Sequence, residues 1–324
     1  MLRVFDCTGT ELEVPPSRDL TTLSAPCWLD LNDPTPQEIA AVERLNDIDL
    51  PSRDELGDIE PSSRLYVEDD AIFLTASVAC RTDLEIPGLT DIGFILARGR
   101  LITLRHAEPR AFPVFMANLP RTADLDDGTD ILLYLLEAIV DRAAEVLEGA
   151  SRDVDALTTE VFHAEEEKRL NRATRSLEGQ LAAISTLQRR VAKVRESLIT
   201  LSRATAFLQT QRSALDTKPR KEKCRSVNRD ITSLSEHAGF IAGNITFLLD
   251  ACLGLISVQQ NTVMKIFSIA ALILLPPTFI GAVYGMNFRY MPELDFRWGY
   301  PMALVAMFLS GAIPFLWFRK KGWL

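Results

Sequence analysis

The chain has 324 residues, 47% of them hydrophobic and 24% charged, and a net charge of −9. That length suits two domains better than one, and the negative balance argues against nucleic acid as a partner. Cys7, Cys27, Cys80, Cys224 and Cys252 form no C-x-x-C pair, and the histidines are only His106, His163 and His237, so neither a disulfide framework nor a structural zinc site is expected.

The amino-terminal "MLRVFDCTGTELEV" has no apolar stretch after its basic residue and does not read as a signal peptide. This end is expected in the cytoplasm. Residues 1–128 read as an α/β domain. "LRVFDCTG" and "TELEVP" predict a hairpin, and "CWLDLND" a strand. Pro34 and Pro36 open a helix through "QEIAAVERLN", with Asn32 or Asp33 as its cap. "RLYVEDDAIFLTASVA" and "DIGFILARGRLITLRH" are β-rich runs broken by turn-like centres at Glu68-Asp69-Asp70 and Arg98-Gly99-Arg100. A sheet of about six or seven strands is implied.

Residues 129–258 change to long helices. Ile131, Leu132, Leu135, Leu136, Ile139, Val146, Leu147, Val154, Leu157 and Val161 recur at helical spacing, a second helix covers roughly 168–215, and "DTKPRKEK" starts a third. On that third helix Cys224, Val227, Ile231, Leu234, Ala238, Ile241, Ile245, Leu248, Cys252 and Leu255 form a heptad seam. Such a seam packs either inside one chain or between copies.

The third helix then runs into residues 259–324, a membrane domain with spans at about 262–284 and 299–318. The uncharged cores, Ile266 to Tyr284 and Tyr300 to Phe318, are each just long enough to cross about 30 Å of hydrocarbon. Lys265 before the first and Arg319, Lys320 and Lys321 after the second put both termini in the cytoplasm. Trp298, Tyr300 and Trp317 suit the interfaces.

Two spans cannot enclose a pore alone. Yet opposite the heptad seam runs a second stripe at the same spacing: Asp250, Gly254, Ser257, Asn261, Met264, Ser268, Ala271, Leu275, Thr278, Ala282 and Gly285. It is mostly small or polar, although half of it lies in a membrane. Such residues face other helices or water, so the stripe is either a tight helix–helix seam or the wall of a wet axis. Pro276 and Pro277 remove the backbone donors for the carbonyls of Leu272 and Ile273, which need protein or water in exchange.

"YGMNF", "MPEL", "WGYP" and the basic "FRKKGWL" closely resemble the CorA magnesium transporters, as do "QQNTVMKIFS", "LLPPTF", "CWLDLNDP", "RDELGDIE" and "RGRLITLRH". The resemblance covers essentially the whole chain and is strongest over the last 75 or so residues. It implies a homopentameric, funnel-shaped channel in the cell inner membrane, with the first span lining the pore and the second packed outside. It implies uptake of Mg2+, with Co2+ and Ni2+ as secondary substrates, and no cofactor beyond Mg2+ itself as substrate and regulatory ligand. It also implies that intracellular Mg2+ bound between neighbouring domains holds the pore shut, with Asp83 and Glu85 nearest the expected ligands. The alternative is a ZntB-like transporter of zinc or divalent cations in general; Met286 favours the magnesium branch.

The chemistry of these residues suits that ion. Mg2+ dehydrates reluctantly and demands near-octahedral oxygen geometry. A ring of Asn287 amides, with carbonyls near Gly285 and Met286, would accept hydrogen bonds from the ion's bound waters without trapping it. Thr278 and Asn261 would add polar rings and Asp250 an acidic ring at the cytoplasmic end. Met264, Phe267 and Leu275 are candidates for constrictions that dewet. The stripe itself points to Ser268; only the resemblance favours Phe267. Glu293 would concentrate cations outside unless Arg289 and Arg297 neutralise it. Neither a Walker G-x-x-x-x-G-K-[ST] nor H-E-x-x-H nor G-x-S-x-G occurs, so an ATP-driven pump or a hydrolase is not expected. A membrane-anchored coiled-coil scaffold is the remaining class, and the polar stripe and Pro-Pro pair argue against it.

Overall fold

The computed structural model describes residues 1–15, 19–58, 60, 64–81, 88–122, 125–163, 170–289, 291–292 and 296–323. They divide into two compact units, Met1–Leu249 and Asp250–Leu324.

The first unit is built on a seven-stranded sheet: β1 (Leu2–Asp6), β2 (Glu11–Leu12), β3 (Pro26–Asn32), β4 (Leu65–Glu68), β5 (Ala71–Cys80), β6 (Gly88–Ala97) and β7 (Arg100–Arg105). The spatial order is β2-β1-β3-β7-β6-β5-β4. β3 and β7 run parallel and the other pairs antiparallel. The predicted hairpin breaks fall at the turns. Asp69 and Asp70 have φ of 48° and 62°, Arg98 and Gly99 of 51° and 75°, the doubly left-handed pair that a two-residue turn needs to match strand twist.

Two expectations fail locally. The cap of α1 (Pro36–Asn46) is Thr35, not Asn32 or Asp33. Asn32 still belongs to β3, and Asp33 takes a left-handed φ of 47°. Glu38 closes a capping box by accepting from the Thr35 N–H at 2.8 Å. Cys7 and Cys27 form a disulfide, with Cα atoms 5.3 Å apart, where none was expected. Twenty residues of separation hide the fact that Asp6 pairs with Pro26 across β1 and β3, which delivers the two next residues to bridging distance.

Strand alternation divides the core. Leu29 and Leu31 face a cluster with Val4, Val42, Leu56, Phe73 and Ile102 under α1 and α2 (Arg53–Leu56). On the other face Trp28 stacks on Phe5 and meets Phe112 and Phe115 of α3 (Ala111–Asn118). Beside them lies a fully buried ion pair. Arg105 donates to both carboxylate oxygens of Asp30, at 3.0 and 2.8 Å, and Thr103 donates to Asp30 at 2.7 Å. Trp28 Nε1 donates to Thr103, and the Arg105 guanidinium lies 4.5 Å from the centre of the Phe112 ring. With every partner supplied, a charge pair can sit in this interior.

Three helices complete the unit: α4 (Gly128–His163), α5 (Leu170–Thr210) and the part of α6 (Lys218–Tyr284) before Asp250. β5 outruns β4 after Leu74, and α5 covers part of the exposed backbone: the hydroxyls of Thr200 and Ser197 accept from the N–H groups of Ser77 and Ala79, at 3.1 and 3.2 Å. The heptad seam is satisfied within one chain. Cys224, Val227, Ile231, Ala238, Ile241, Ile245 and Leu248 are buried without any second copy. Cys224 lies against the Thr205 carbonyl, and Phe247 stacks on Phe162.

The first turn of α6 is fastened to the start of α4. Arg220 donates to both oxygens of Asp130, at 2.9 and 2.8 Å, and pairs with Asp127 at 3.0 Å and Asp216 at 3.1 Å. Burial pushes the Asp130 carboxyl up. The Arg220 hydrogen bonds and charge, with the backbone N–H groups of Asp126 and Asp127, outweigh it and hold the carboxyl below its ordinary 3.8. A depressed carboxyl contributes stability above its unfolded pKa and loses it as pH falls through the folded one. Arg220→Leu, which removes the shared partner of three carboxylates, is expected to cost about 3 kcal/mol or more at neutral pH. Thermal unfolding of the detergent-solubilised full chain checks it. The wild type is expected to lose this advantage progressively below about pH 4, so the gap between the two melting curves narrows in acid.

Candidate functional site

The second unit holds the remainder of α6 and α7 (Gly299–Lys320). Both helices are long and apolar enough to cross a membrane. α6 continues as a helix through Pro276 and Pro277 to Tyr284.

Two glycines bring the helices together. A Cβ at Gly311 would lie 3.4 Å from both the Ile273 carbonyl oxygen and Pro277 Cγ. Pro277 is the residue whose missing N–H frees that carbonyl, so the backbone of α7 approaches where the helix has lost a bond. One turn further along, a Cβ at Gly281 would meet only the tip of Met307, at 3.5 Å. Ile269 is buried, and Ile273, Pro276, Pro277, Ile280, Gly281 and Tyr284 are half-buried on this side.

The stripe lies on the opposite side. At 3.6 residues per turn its positions fall roughly half a turn from the α7 contact. All eleven, Asp250 through Gly285, are exposed. Met264 and Leu275 are 64% and 63% exposed. Phe267 is 69% exposed and borders the stripe, next to Ser268. Ala271, Leu272, Leu275, Pro276 and Phe279 line a shallow apolar hollow.

The hydroxyls have a defined polarity. Ser268 Oγ donates to the Met264 carbonyl at 2.8 Å, and Thr278 Oγ1 lies 2.8 Å from the Leu275 carbonyl and 3.0 Å from that of Leu274. With the hydrogen committed to the helix, each oxygen offers only lone pairs outward. This is the acceptor character that water bound to a cation requires.

The stripe ends in the Gly-Met-Asn loop. The N–H groups of Gly285 and Met286 close the last turn onto the carbonyls of Gly281, at 3.0 Å, and Val283, at 3.3 Å. A Cβ at Gly285 would press to 3.2 Å from the Gly281 oxygen, so a side chain there would strain the helix end. Asn287 is exposed just beyond. The end of α6 is the negative pole of its dipole, where cations are stabilised.

Asp83, Glu85 and Glu293 lie outside the described residues. Asp127, in the acidic run before α4, is held by Arg220. Among the described residues no group of three or more His, Cys, Asp or Glu side chains is placed to hold a metal. The sequence gives no warning of the Gly311–Ile273 approach. The only trace of it is a small residue in the second span.

The sequence model of the family described as "CorA-like Mg2+ transporter protein" matches residues 24–320. This chain belongs to that family. It is similar over its full length to proteins named "Magnesium transport protein CorA", at 32% identity to the one from Mannheimia succiniciproducens and 33% to the one from Haemophilus influenzae, in each case over 100% of both chains. Its fold is that of the complete CorA magnesium transporter structure from Methanocaldococcus jannaschii, with a TM-score of 0.76 at 19% identity, covering 100% of this chain and 99% of that one.

Gly311→Leu is expected to force α6 and α7 apart and destabilise the CorA-like membrane unit by about 1–3 kcal/mol. Gly281→Ala, which meets a flexible methionine tip, is expected to cost little. Melting temperatures of the two variants in detergent make the comparison.

Proposed function

We propose that this chain forms a homopentameric channel in the cell inner membrane that takes up Mg2+, with Co2+ and Ni2+ as lesser substrates. The single observation that carries the proposal is the exposed, small and polar stripe on the side of α6 away from α7, ending at Gly285-Met286-Asn287. Its curated relatives carry magnesium transport in their names.

Five copies bring their stripes around one axis. Asp250 forms an acidic ring at the cytoplasmic end, and Asn261 and Thr278 form neutral acceptor rings. Met264 and Leu275, with Phe267 beside them, form the apolar constrictions. At the mouth, five Asn287 amides accept from the waters of a hexahydrate, and carbonyls near Gly285 and Met286 add acceptors. The ion is recognised through its first shell and is not stripped of it, which suits the slow dehydration of Mg2+. Neutral acceptors let it leave again. A dication moving down the membrane potential gains about 4.6 kcal/mol per 100 mV, twice the value for one charge, so no hydrolysis step is needed.

Intracellular Mg2+ is the proposed brake, acting through Asp83 and Glu85. It works by whatever affinity difference it has for closed and open states. Neutralising both residues and recording current against internal Mg2+ tests them; an unchanged inhibition curve removes the pair as sensors.

Asn287→Ala is expected to cut voltage-driven Mg2+ flux into proteoliposomes roughly tenfold or more, because several acceptors worth about 1 kcal/mol each vanish together, while the oligomer elutes unchanged in size. Normal flux through an intact Asn287→Ala assembly would sink the assignment of the mouth. Leu275→Gly is expected to raise basal leak by wetting a dry constriction. Competition of Zn2+ against Mg2+ in the same assay separates the magnesium transporter from a zinc transporter of the same build.

A further inference from the structure

The last residues of the chain have an organised geometry that ion conduction does not use. α7 ends in a Schellman turn. Gly322 is left-handed, with φ of 71°. The N–H of Trp323 reaches the Phe318 carbonyl at 3.1 Å, and that of Gly322 reaches the Arg319 carbonyl at 3.2 Å. The turn folds Trp323 back so that it stacks on Phe318, with centroids 5.7 Å apart. Lys321 Nζ lies between two indoles, 4.5 Å from the Trp317 ring centre and 5.7 Å from that of Trp323.

Cations at a helix C-terminus are commonplace, since they complement the dipole. That explains one charge here. It does not explain two half-exposed indoles gathered around Lys321, nor two further cations, Arg319 and Lys320, beside them. Trp317 is 51% exposed and Trp323 54%. Among the described residues no carboxylate pairs with Arg319, Lys320 or Lys321, and no acceptor takes either indole N–H. The group closes an apolar helix long enough to cross a membrane, which puts it at the depth where indoles settle between hydrocarbon and water.

We propose that Trp317, Lys321 and Trp323, with Arg319 and Lys320, form a clasp for the phosphate of an anionic phospholipid headgroup. The indole faces hold the Lys321 ammonium at headgroup depth by cation–π attraction. The indole N–H groups and three cations supply the donors that a phosphodiester needs, and the ring faces cover the upper acyl chain. Phosphatidylglycerol is the simplest lipid of this chemistry. Gly322 is the positioning residue, because a β-carbon disfavours the left-handed turn that returns Trp323. The clasp rests on the proposed membrane insertion with the carboxyl terminus at the cytoplasmic face.

The test uses the full chain carrying Trp298→Phe, reconstituted in phosphatidylcholine with a minor fraction of either brominated phosphatidylglycerol or brominated phosphatidylcholine. Tryptophan quenching reports which lipid is enriched. Brominated phosphatidylglycerol is expected to quench roughly fivefold more effectively per lipid, given the attraction of basic residues to an anionic surface. Lys321→Gln is expected to lose most of that preference. Gly322→Val, which leaves every charge in place, is expected to lose it too. Equal quenching by the two lipids in the unaltered clasp would overturn the proposal while leaving membrane insertion intact. A preference undiminished in both variants would overturn it as well, by placing the site elsewhere. Quenching by neither lipid would sink membrane insertion itself and the clasp with it.

Discussion

Polar atoms cannot be left bare in hydrocarbon, and α6 carries more of them on one side than a lone span can hold. Ser268 and Thr278 are exposed there, with Asn261 just before the span, and Pro276 and Pro277 free two backbone carbonyls nearby. α7 cannot relieve the stripe. Its contacts at Gly281 and Gly311 hold it to the other side, where Gly311 packs close to the Ile273 carbonyl. The hydroxyls meet half of their own need by donating back into the helix. What is left is a row of outward lone pairs that only water, ions or further copies of the chain can satisfy. The proposed assembly around the stripe and the proposed conduction along it would both answer that shortage.

The first unit manages charge in the opposite way, by closing it off. Asp30 and Arg105 are buried together: Thr103 donates to Asp30 while accepting from Trp28, and Arg105 also donates to the Ala107 carbonyl. Such a pair is weak evidence of net stability, because hydrophobic residues of the same volume often do as well. It does fix geometry: Asp30 pairs with Thr103, two residues before Arg105, in the one parallel register of the sheet, and a slip of one residue would send every one of these side chains to the other face. Arg220 does the same for helices. By gripping Asp130, Asp127 and Asp216 it fixes where α6 starts against α4, and the buried seam from Cys224 to Leu248 then sets which side of the helix faces inward.

Local signals were the readable part of this fold. Hairpins announced themselves through period-two runs split by Asp69-Asp70 and Arg98-Gly99, because a two-residue turn has few acceptable sequences. The stripe and the seam were readable because a 3–4 spacing holds for several turns on one helix. The seam still had two possible partners, and only its burial in a single chain decides for the intramolecular one. Contacts between distant residues left no local trace. Asp130 and Arg220 are 90 positions apart, and nothing in either neighbourhood names the other. Asp33, a good capping residue by type, is spent on a left-handed turn before Pro34, so the cap of α1 passes to Thr35. Cys7 and Cys27 looked unrelated until the β1–β3 register put them side by side.

The distribution of charge along α6 fits the proposed ion better than a tighter site would. The described stripe holds one carboxylate, Asp250, at its lower end. Above it come amide, thioether, hydroxyl and aliphatic groups, and at the top the negative pole of the helix beside Asn287. A carboxylate ring at the centre would bind a dication strongly in a medium of low dielectric, and an ion held that well conducts poorly. Imidazole or thiolate groups would favour softer metals that shed water readily; the buried Cys252 is on the seam side, not on the stripe. In the proposed pore, hydroxyl and amide oxygens whose lone pairs face outward would interact with the ion only through its water. They therefore favour a cation by how firmly it keeps its hydration shell, and among common divalent ions Mg2+ is the one most reluctant to lose it.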